Sequence, residues 1–325
     1  MKALVTKTFA QTPKTVLEER PKPTPKPGYS LLRMKAATIN QLSRYIRTGA
    51  VPGPTAPLVL GNEGAGLVEQ SDQFPSGTRV GIYGGNKLGI TEDGLFQEWV
   101  LVENRRLFVL PDSLTWEEGA TLSVNYLTAY RALTKSASVG KGDTVLVSGA
   151  SGSVGGATIQ VAKALGAIPI ALTSSENKAR HALQAGAHAA IDVSTENDIA
   201  GRVRSLTNGQ GADWAIDPVG GAFTNWMLHA VRFRGTLVSV GFTGGMQPAF
   251  DAFEIIAQEK RIIGYSLHAE DDADVTIAQK ALVELAAAGL IKPVIDSTVP
   301  MRDVDKGYER LASREALGSI VMHFD

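Results

Sequence analysis

The segment TVLVSGASGSVGG, residues 144–156, decides the fold. It begins with Thr144 to Ser148, a short apolar run of the kind that forms a buried strand. A glycine-rich turn from Gly149 to Gly156 follows. Ala157, Val161 and Leu165 then recur at helical spacing until Gly166 stops the helix. Against the pattern G-x-G-x-x-G, Ala150 takes the first glycine position, and Gly152 and Gly155 hold the second and third. The second must lack a side chain so that backbone can approach a pyrophosphate, and the third lets helix and strand pack closely. N–H groups and the helix dipole at the start of the helix then favour an anion. Strand, turn and helix in this order predict a dinucleotide-binding βαβ unit.

Working outward, the same alternation continues downstream. Ile168 to Leu172 reads as a strand, Glu176 to Gly186 as a helix, and Ala190 to Val193 as a strand. Ile199, Val203 and Leu206 mark a helix face, Trp214 to Asp217 and Thr236 to Val240 are strands, and a helix spans about Phe223 to Val231. Regular alternation of this kind predicts an α/β domain with a doubly wound parallel sheet, placed at residues 121–261. Residues 1–120 read differently, as short apolar runs cut by turn residues: Met1 to Ala10, Tyr29 to Met34, Leu58 to Leu60, Thr78 to Ile82, Phe96 to Val102 and Leu107 to Leu110. That is a mostly β domain, and the proline-rich run Arg20 to Pro27 reads as an exposed connection within it. Residues 262–325 add a helix through Val275 and Leu282, strand-like Val294 to Val299, an amphipathic helix through Tyr308 and a closing strand, Ser319 to Phe324. This tail is assigned to the first domain.

Composition excludes several classes. Lys plus Arg number 32 and Asp plus Glu 33, a net charge of −1, which offers no bulk electrostatic case for nucleic acid or an anionic membrane. The chain has no cysteine, so disulfides, a cysteine nucleophile and a thiolate zinc site are excluded. No apolar run is long enough to span a membrane and the N-terminal strand lacks a signal-peptide core. A cytoplasmic protein is expected.

The end of the second parallel strand bears on which dinucleotide binds. An NAD site places a carboxylate there for the ribose hydroxyls; this chain has Thr173-Ser174-Ser175-Glu176-Asn177-Lys178. Ser174 and Ser175 can donate to a 2′-phosphate and Lys178 can supply charge, which favours NADPH over NADH. Ser175 also reads as a helix cap with Lys178 a surface charge, and Glu176 leaves a carboxylate nearby.

The chain resembles the medium-chain dehydrogenase/reductase superfamily, in its zinc-free quinone oxidoreductase (zeta-crystallin-like) branch. The resemblance runs end to end. It rests on Ala37-Thr38-Ile39-Asn40 through Tyr45-Ile46-Arg47-Thr48-Gly49, on Leu60-Gly61-Asn62-Glu63-Gly64-Ala65-Gly66, on Tyr126-Leu127-Thr128-Ala129-Tyr130, on the Gly149 to Gly156 turn, on Asp217-Pro218-Val219-Gly220-Gly221 and on Gly235 to Gly241. It implies a Rossmann domain inserted into a GroES-like mostly β domain, with NADPH in the cleft passing hydride to a quinone or another activated carbonyl or alkene. Zinc-dependent relatives have cysteine at the position of Asn40 and histidine at that of Asn62, so no metal is expected here. An amide is a poor zinc ligand, and Glu63 is left as a structural group.

Residue by residue, the resemblance places Asn40 and Tyr45 at the nicotinamide end, where either could hydrogen-bond a developing oxyanion and so act catalytically. Thr128, Gly241 and Phe242 would border the nicotinamide. Gly152, Ser153, Val154 and Gly155 would cradle the pyrophosphate, and Ser174, Ser175 and Lys178 the adenosine phosphate. Residues 84–96 read as a loop that shapes the substrate pocket and moves on binding. Two departures stand out: Ser43 replaces an acidic residue that many relatives carry. Val51 replaces the tyrosine that enoyl-thioester reductases use. An enone, enal or enoyl-thioester reductase is the rival enzyme reading, and an NADPH-binding structural or sensor protein the rival of another class. Of the five histidines only His268, after the apolar run Ile262 to Leu267, merits a test. The strand at Arg261 to Leu267 lies where the family pairs sheet edges, so a homodimer is expected.

Overall fold

The computed structural model describes residues 1–324 of the 325-residue chain. Two compact units are present. One comprises Met1–Val124, His268–Ala287 and the residues from Pro293 on; the other comprises Asn125–Leu267 and Ala288–Lys292.

The first unit opens with β1 (Lys2–Thr8), β2 (Lys14–Glu19) and β3 (Tyr29–Ile39), then α1 (Gln41–Arg47), β4 (Leu58–Val59), β5 (Glu63–Gln70), β6 (Arg79–Tyr83), β7 (Trp99–Glu103), β8 (Leu107–Val109) and α2 (Trp116–Thr121). β1 pairs antiparallel with β2 and with β4. β3 is the long central strand: it pairs antiparallel with β5, with Leu32 opposite Val68, and with β7, with Leu32 opposite Val100. Alternate apolar side chains such as Leu32, Met34, Val68, Val80, Ile82 and Phe96 form its core, the expected result of period-two patterning on strands with a covered face. Residues 20–28 form no regular element and connect β2 to β3.

A π-helical turn at Leu122–Tyr126 leads into the second unit, whose elements are α3 (Leu127–Arg131), β9 (Thr144–Val147), α4 (Ser153–Ala164), β10 (Ile168–Thr173), α5 (Glu176–Gln184), β11 (Ala189–Asp192), α6 (Ile199–Leu206), β12 (Ala212–Asp217), α7 (Ala222–Ala230), β13 (Val231–Ser239), α8 (Ala252–Ile256) and β14 (Arg261–Gly264). The strands form one parallel sheet in the order β11-β10-β9-β12-β13-β14. The order reverses beside β9, the first strand, as a doubly wound fold requires. Leu146, Ile170, Leu172, Ala215, Met227, Leu228 and Leu237 are fully buried around it. β14 is hydrogen-bonded to β13, with Ile262 opposite Leu237, so the parallel sheet continues past residue 261, where sequence reading ends the domain.

The chain then returns to the first unit through α9 (Asp272–Ala287), β15 (Ile295–Pro300), α10 (Val304–Ala312) and β16 (Ser319–His323). β16 pairs antiparallel with β3, placing Ile320 opposite Ile39, and parallel with β15. The C-terminal strand thereby completes a sheet begun near the N-terminus. No helix among the described residues is long and apolar enough to cross a membrane.

Candidate active site

In the second unit the carboxyl ends of the parallel strands carry the candidate cofactor residues, where ligands of open α/β sheets bind. The turn after β9 closes with Gly152 N–H donating to Gly149 C=O at 2.9 Å, and Gly152 caps α4 with no side-chain hydrogen bond. A Cβ on Gly155 would stand 2.1 Å from Gly149 O and 2.9 Å from Ala150 Cα, so only glycine fits there. A Cβ on Gly152 would meet nothing nearer than Gly149 O at 3.4 Å. The space over Gly152 is thus open to a ligand, and the turn fits a pyrophosphate.

At the end of β10 the structure brings Ser174 and Lys178 together. Lys178 Nζ donates to Ser174 Oγ at 3.1 Å, and Lys178 is largely buried. Ser175 has another duty: its hydroxyl accepts the Lys178 backbone N–H and caps α5. Gly241 and Phe242 follow β13 directly, and Phe242 is 42% exposed. Thr128 is buried within α3.

One organising group here was not given a role from sequence. Asp217, at the end of β12 and fully buried, accepts Ser148 Oγ at 2.6 Å, Thr224 Oγ1 at 2.8 Å, Val219 N–H at 3.0 Å and Gly220 N–H at 2.9 Å. It ties the end of β9, the turn after β12 and the start of α7 to one carboxylate. The signal was an acidic residue at a strand end followed by Pro218 and two glycines.

In the first unit a compact polar cluster surrounds Glu63 at the start of β5. Asn40 is the N-cap of α1 and forms a capping box with Ser43. Its Oδ1 accepts the Ser43 backbone N–H at 3.0 Å, which fixes the amide's orientation. Its Nδ2 therefore points the other way, donating to Asn62 Oδ1 at 2.8 Å and to Glu63 Oε1 at 3.3 Å. Glu63 also accepts the Thr38 hydroxyl on Oε1 and Val124 N–H on Oε2 at 3.0 Å. Val124 lies in the π-helical turn, where a widened ladder releases backbone groups for such contacts. The two amide hydrogens of Asn40 are thus engaged within the protein, and the oxyanion-donor role read for Asn40 finds no hydrogen left to serve it. Asparagine amides and one carboxylate make a poor set for zinc. Among the described residues no three of His, Cys, Asp or Glu are grouped to hold a metal.

Tyr45 lies further along α1, half-buried. Burial raises its phenol above the ordinary value against the opposing fields of Arg44 and Arg314, so at neutral pH it is a hydroxyl donor. Burial lowers the pKa of His268 although its Nδ1 bonds Gly85 C=O at 3.0 Å, and its ring lies nearly parallel to that of Tyr83. The segment expected to be a moving loop is stitched down. Gly94 N–H donates to Val59 C=O at 2.7 Å, Leu95 N–H to Gly61 C=O at 2.9 Å and Gly89 N–H to Glu92 C=O at 2.8 Å.

Fold and site together define a two-part dehydrogenase-type chain, with a parallel nucleotide-binding sheet and a GroES-like β unit. Residues 26–112 match the alcohol dehydrogenase GroES-like domain and residues 153–282 the zinc-binding dehydrogenase family. The quinone oxidoreductase of Pongo abelii is 30% identical over 294 residues, covering 89% of this chain and 87% of the relative. Among solved structures, an NAD-dependent alcohol dehydrogenase superposes with a TM-score of 0.92 at 27% identity, covering 99% of each chain. A mycobacterial protein complexed with NADPH superposes at 0.88 and 27% identity, again covering 99% of each. The chain belongs to the medium-chain dehydrogenase/reductase superfamily, in its quinone oxidoreductase branch.

Proposed function

We propose that the chain is an NADPH-dependent reductase that delivers hydride to a quinone or similar activated carbonyl or alkene without a metal ion. The observation that carries this reading is the Asn40–Asn62 pair, two amides hydrogen-bonded to each other at 2.8 Å, where zinc-dependent relatives carry cysteine and histidine. Such acceptors need no Lewis acid, because charge spreads onto oxygen and water can supply the proton. Bound NADPH would supply the hydride. Gly152, Ser153, Val154 and Gly155 would hold its pyrophosphate, and Ser174 and Lys178 its 2′-phosphate, with Ser175 fixing the helix that carries the lysine. Thr128, Gly241 and Phe242 would border the nicotinamide, and Tyr45 would offer its hydroxyl to the acceptor.

A homodimer belongs to the same proposal. Among the described residues β14 is paired on one side only, and Phe250, Phe253 and Ile256 shortly before it are 50%, 61% and 78% exposed, the kind of apolar edge that a second copy covers. Light scattering at monomer mass would reject it. A cytoplasmic location is proposed with it.

The test is NADPH consumption with a panel of quinones, enones, enals and crotonyl thioesters, before and after treatment with a strong chelator. Turnover of quinones that survives chelation supports the reading, and turnover abolished by chelation and restored by zinc overturns it. Tight NADPH binding with no turnover of any acceptor would favour a structural or sensor protein.

A further inference from the structure

The Asn62 side chain is 2% exposed, and its Nδ2 is buried with no hydrogen-bond partner. An unmet buried donor costs roughly 1–3 kcal/mol and is uncommon in folded proteins. Rotating the amide does not relieve it, because the orientation is dictated by a chain of contacts that starts in the backbone. Ser43 N–H can only donate, so Asn40 presents Oδ1 to it; Asn40 therefore presents Nδ2 to Asn62; and Asn62 must answer with Oδ1. Flipping Asn62 would set two amide donors against each other. Glu63 takes the second hydrogen of Asn40 and is itself held by Thr38 and Val124. Every member of this network is satisfied except the Nδ2 group of Asn62.

We infer that Asn62 is a catalytic residue, its amide N–H being the hydrogen-bond donor to the acceptor's oxygen during hydride transfer. The inference rests on the reductase reading above. When two electrons and a proton arrive as hydride at a quinone or conjugated carbonyl, the displaced electron pair moves onto the carbonyl oxygen, which then takes a proton from water. A donor already oriented, and shielded from water, stabilises that charge without reorganising at the moment of reaction. Asn40 is then the positioning residue: its cap on α1 and its bond to Glu63 aim Asn62. Asn62 occupies the position of a metal-ligating histidine in zinc-dependent relatives, so an amide hydrogen would take over the electrophile's work.

The experiment compares the wild type with Asn62→Ala, which removes the amide, and Asn62→Asp, which keeps an acceptor for Asn40 but loses the N–H. Three quantities are read: kcat with a simple quinone, NADPH affinity by fluorescence, and melting temperature of the protein without cofactor. The expected result is a fall of roughly 10²-fold in kcat in both variants with NADPH affinity unchanged. Asn62→Ala also takes the acceptor from Asn40 Nδ2, so its melting temperature falls below that of the wild type while the protein still folds. Folded variants that turn over quinone at the wild-type rate overturn the inference and leave the reductase reading intact. Loss of folding in both variants also overturns it, since the amide would then be a structural donor. A wild type that transfers hydride to no acceptor rejects both readings.

Discussion

Asp217 accepts the Ser148 hydroxyl at 2.6 Å, joining the carboxyl ends of the two adjacent strands β12 and β9. Its other oxygen takes Thr224 Oγ1, and two backbone N–H groups complete the set. Asp217→Ala would leave four donors facing an apolar gap, at a cost of about 3–5 kcal/mol. Asp217→Asn keeps one acceptor oxygen, and Thr224 can turn its hydroxyl to accept from the new amide, so about 1–2 kcal/mol is expected. Denaturant titration of the two variants separates them, and equal losses would mean that the carboxylate is not the common partner of these groups.

Ser175 and Lys178 sit three residues apart yet should fail in different ways. Lys178→Ala removes the charge beside Ser174 and should weaken NADPH binding by about 10- to 100-fold, the value of a hydrogen bond to a charged group, with NADH binding little changed. Ser175→Ala removes the α5 cap and should cost about 1 kcal/mol of stability while leaving the ratio of the two affinities near that of the wild type. Fluorescence titrations with both cofactors decide this. A wild-type protein that binds them equally removes the basis for a phosphate site at Ser174 and Lys178.

Much of the second unit was legible because its signals are local. The run Thr144 to Ser148, the glycine turn and the spacing of Ala157 and Val161 each state one element, and β9 and α4 follow them closely. The first unit was less so. β3 extends to Ile39, beyond the apolar run ending at Met34, because β5 and β16 both pair with its second half, and such partners are far away in sequence. α1 is only seven residues long, too short for periodicity to show, although Asn40 and Ser43 spell its capping box. The π-helical turn at Leu122–Tyr126 has no sequence pattern at all. Site residues divide in the same way: glycines and hydroxyls on one turn could be read, whereas the engagement of both Asn40 hydrogens depends on Asn62 and Glu63 arriving from another strand.

The two glycines of the nucleotide turn carry separable burdens. At Gly155 an added Cβ meets backbone 2.1 Å away, so Gly155→Ala should force β9 and α4 apart and lower stability by about 2 kcal/mol or more. At Gly152 the backbone is extended, with φ −85° and ψ −179°, and the Cβ meets only one oxygen at 3.4 Å. Gly152→Ala should therefore fold, losing no more than about 1 kcal/mol as a poorer cap. Its methyl group would occupy the approach to the turn, so NADPH affinity should drop at least tenfold, about 1.4 kcal/mol. Unchanged affinity in this variant would move the pyrophosphate elsewhere.

Arg310 grips Asp296 with two parallel hydrogen bonds, Nε to Oδ2 at 2.9 Å and Nη2 to Oδ1 at 2.8 Å, and Leu317 N–H adds a third at 2.8 Å. The clasp joins β15, α10 and the approach to β16. Burial pushes the Asp296 carboxyl up, but the hydrogen bonds from Arg310 and Leu317 outweigh it and hold the pKa below the ordinary 3.8. A carboxyl whose folded pKa is depressed stabilises the fold fully above its unfolded pKa, and that contribution is lost as pH falls through the folded value. Asp296→Asn should therefore cost about 1–3 kcal/mol at neutral pH. The gap between variant and wild type should close progressively below pH 3.8, where the unfolded chain's carboxyl takes up a proton before the folded one does. Closing should be complete once the folded carboxyl is protonated too. Denaturant titrations of both proteins from neutral pH into the acid range measure that gap. A difference that stayed constant into acid would show that packing, not the charged clasp, sets the stability of this corner.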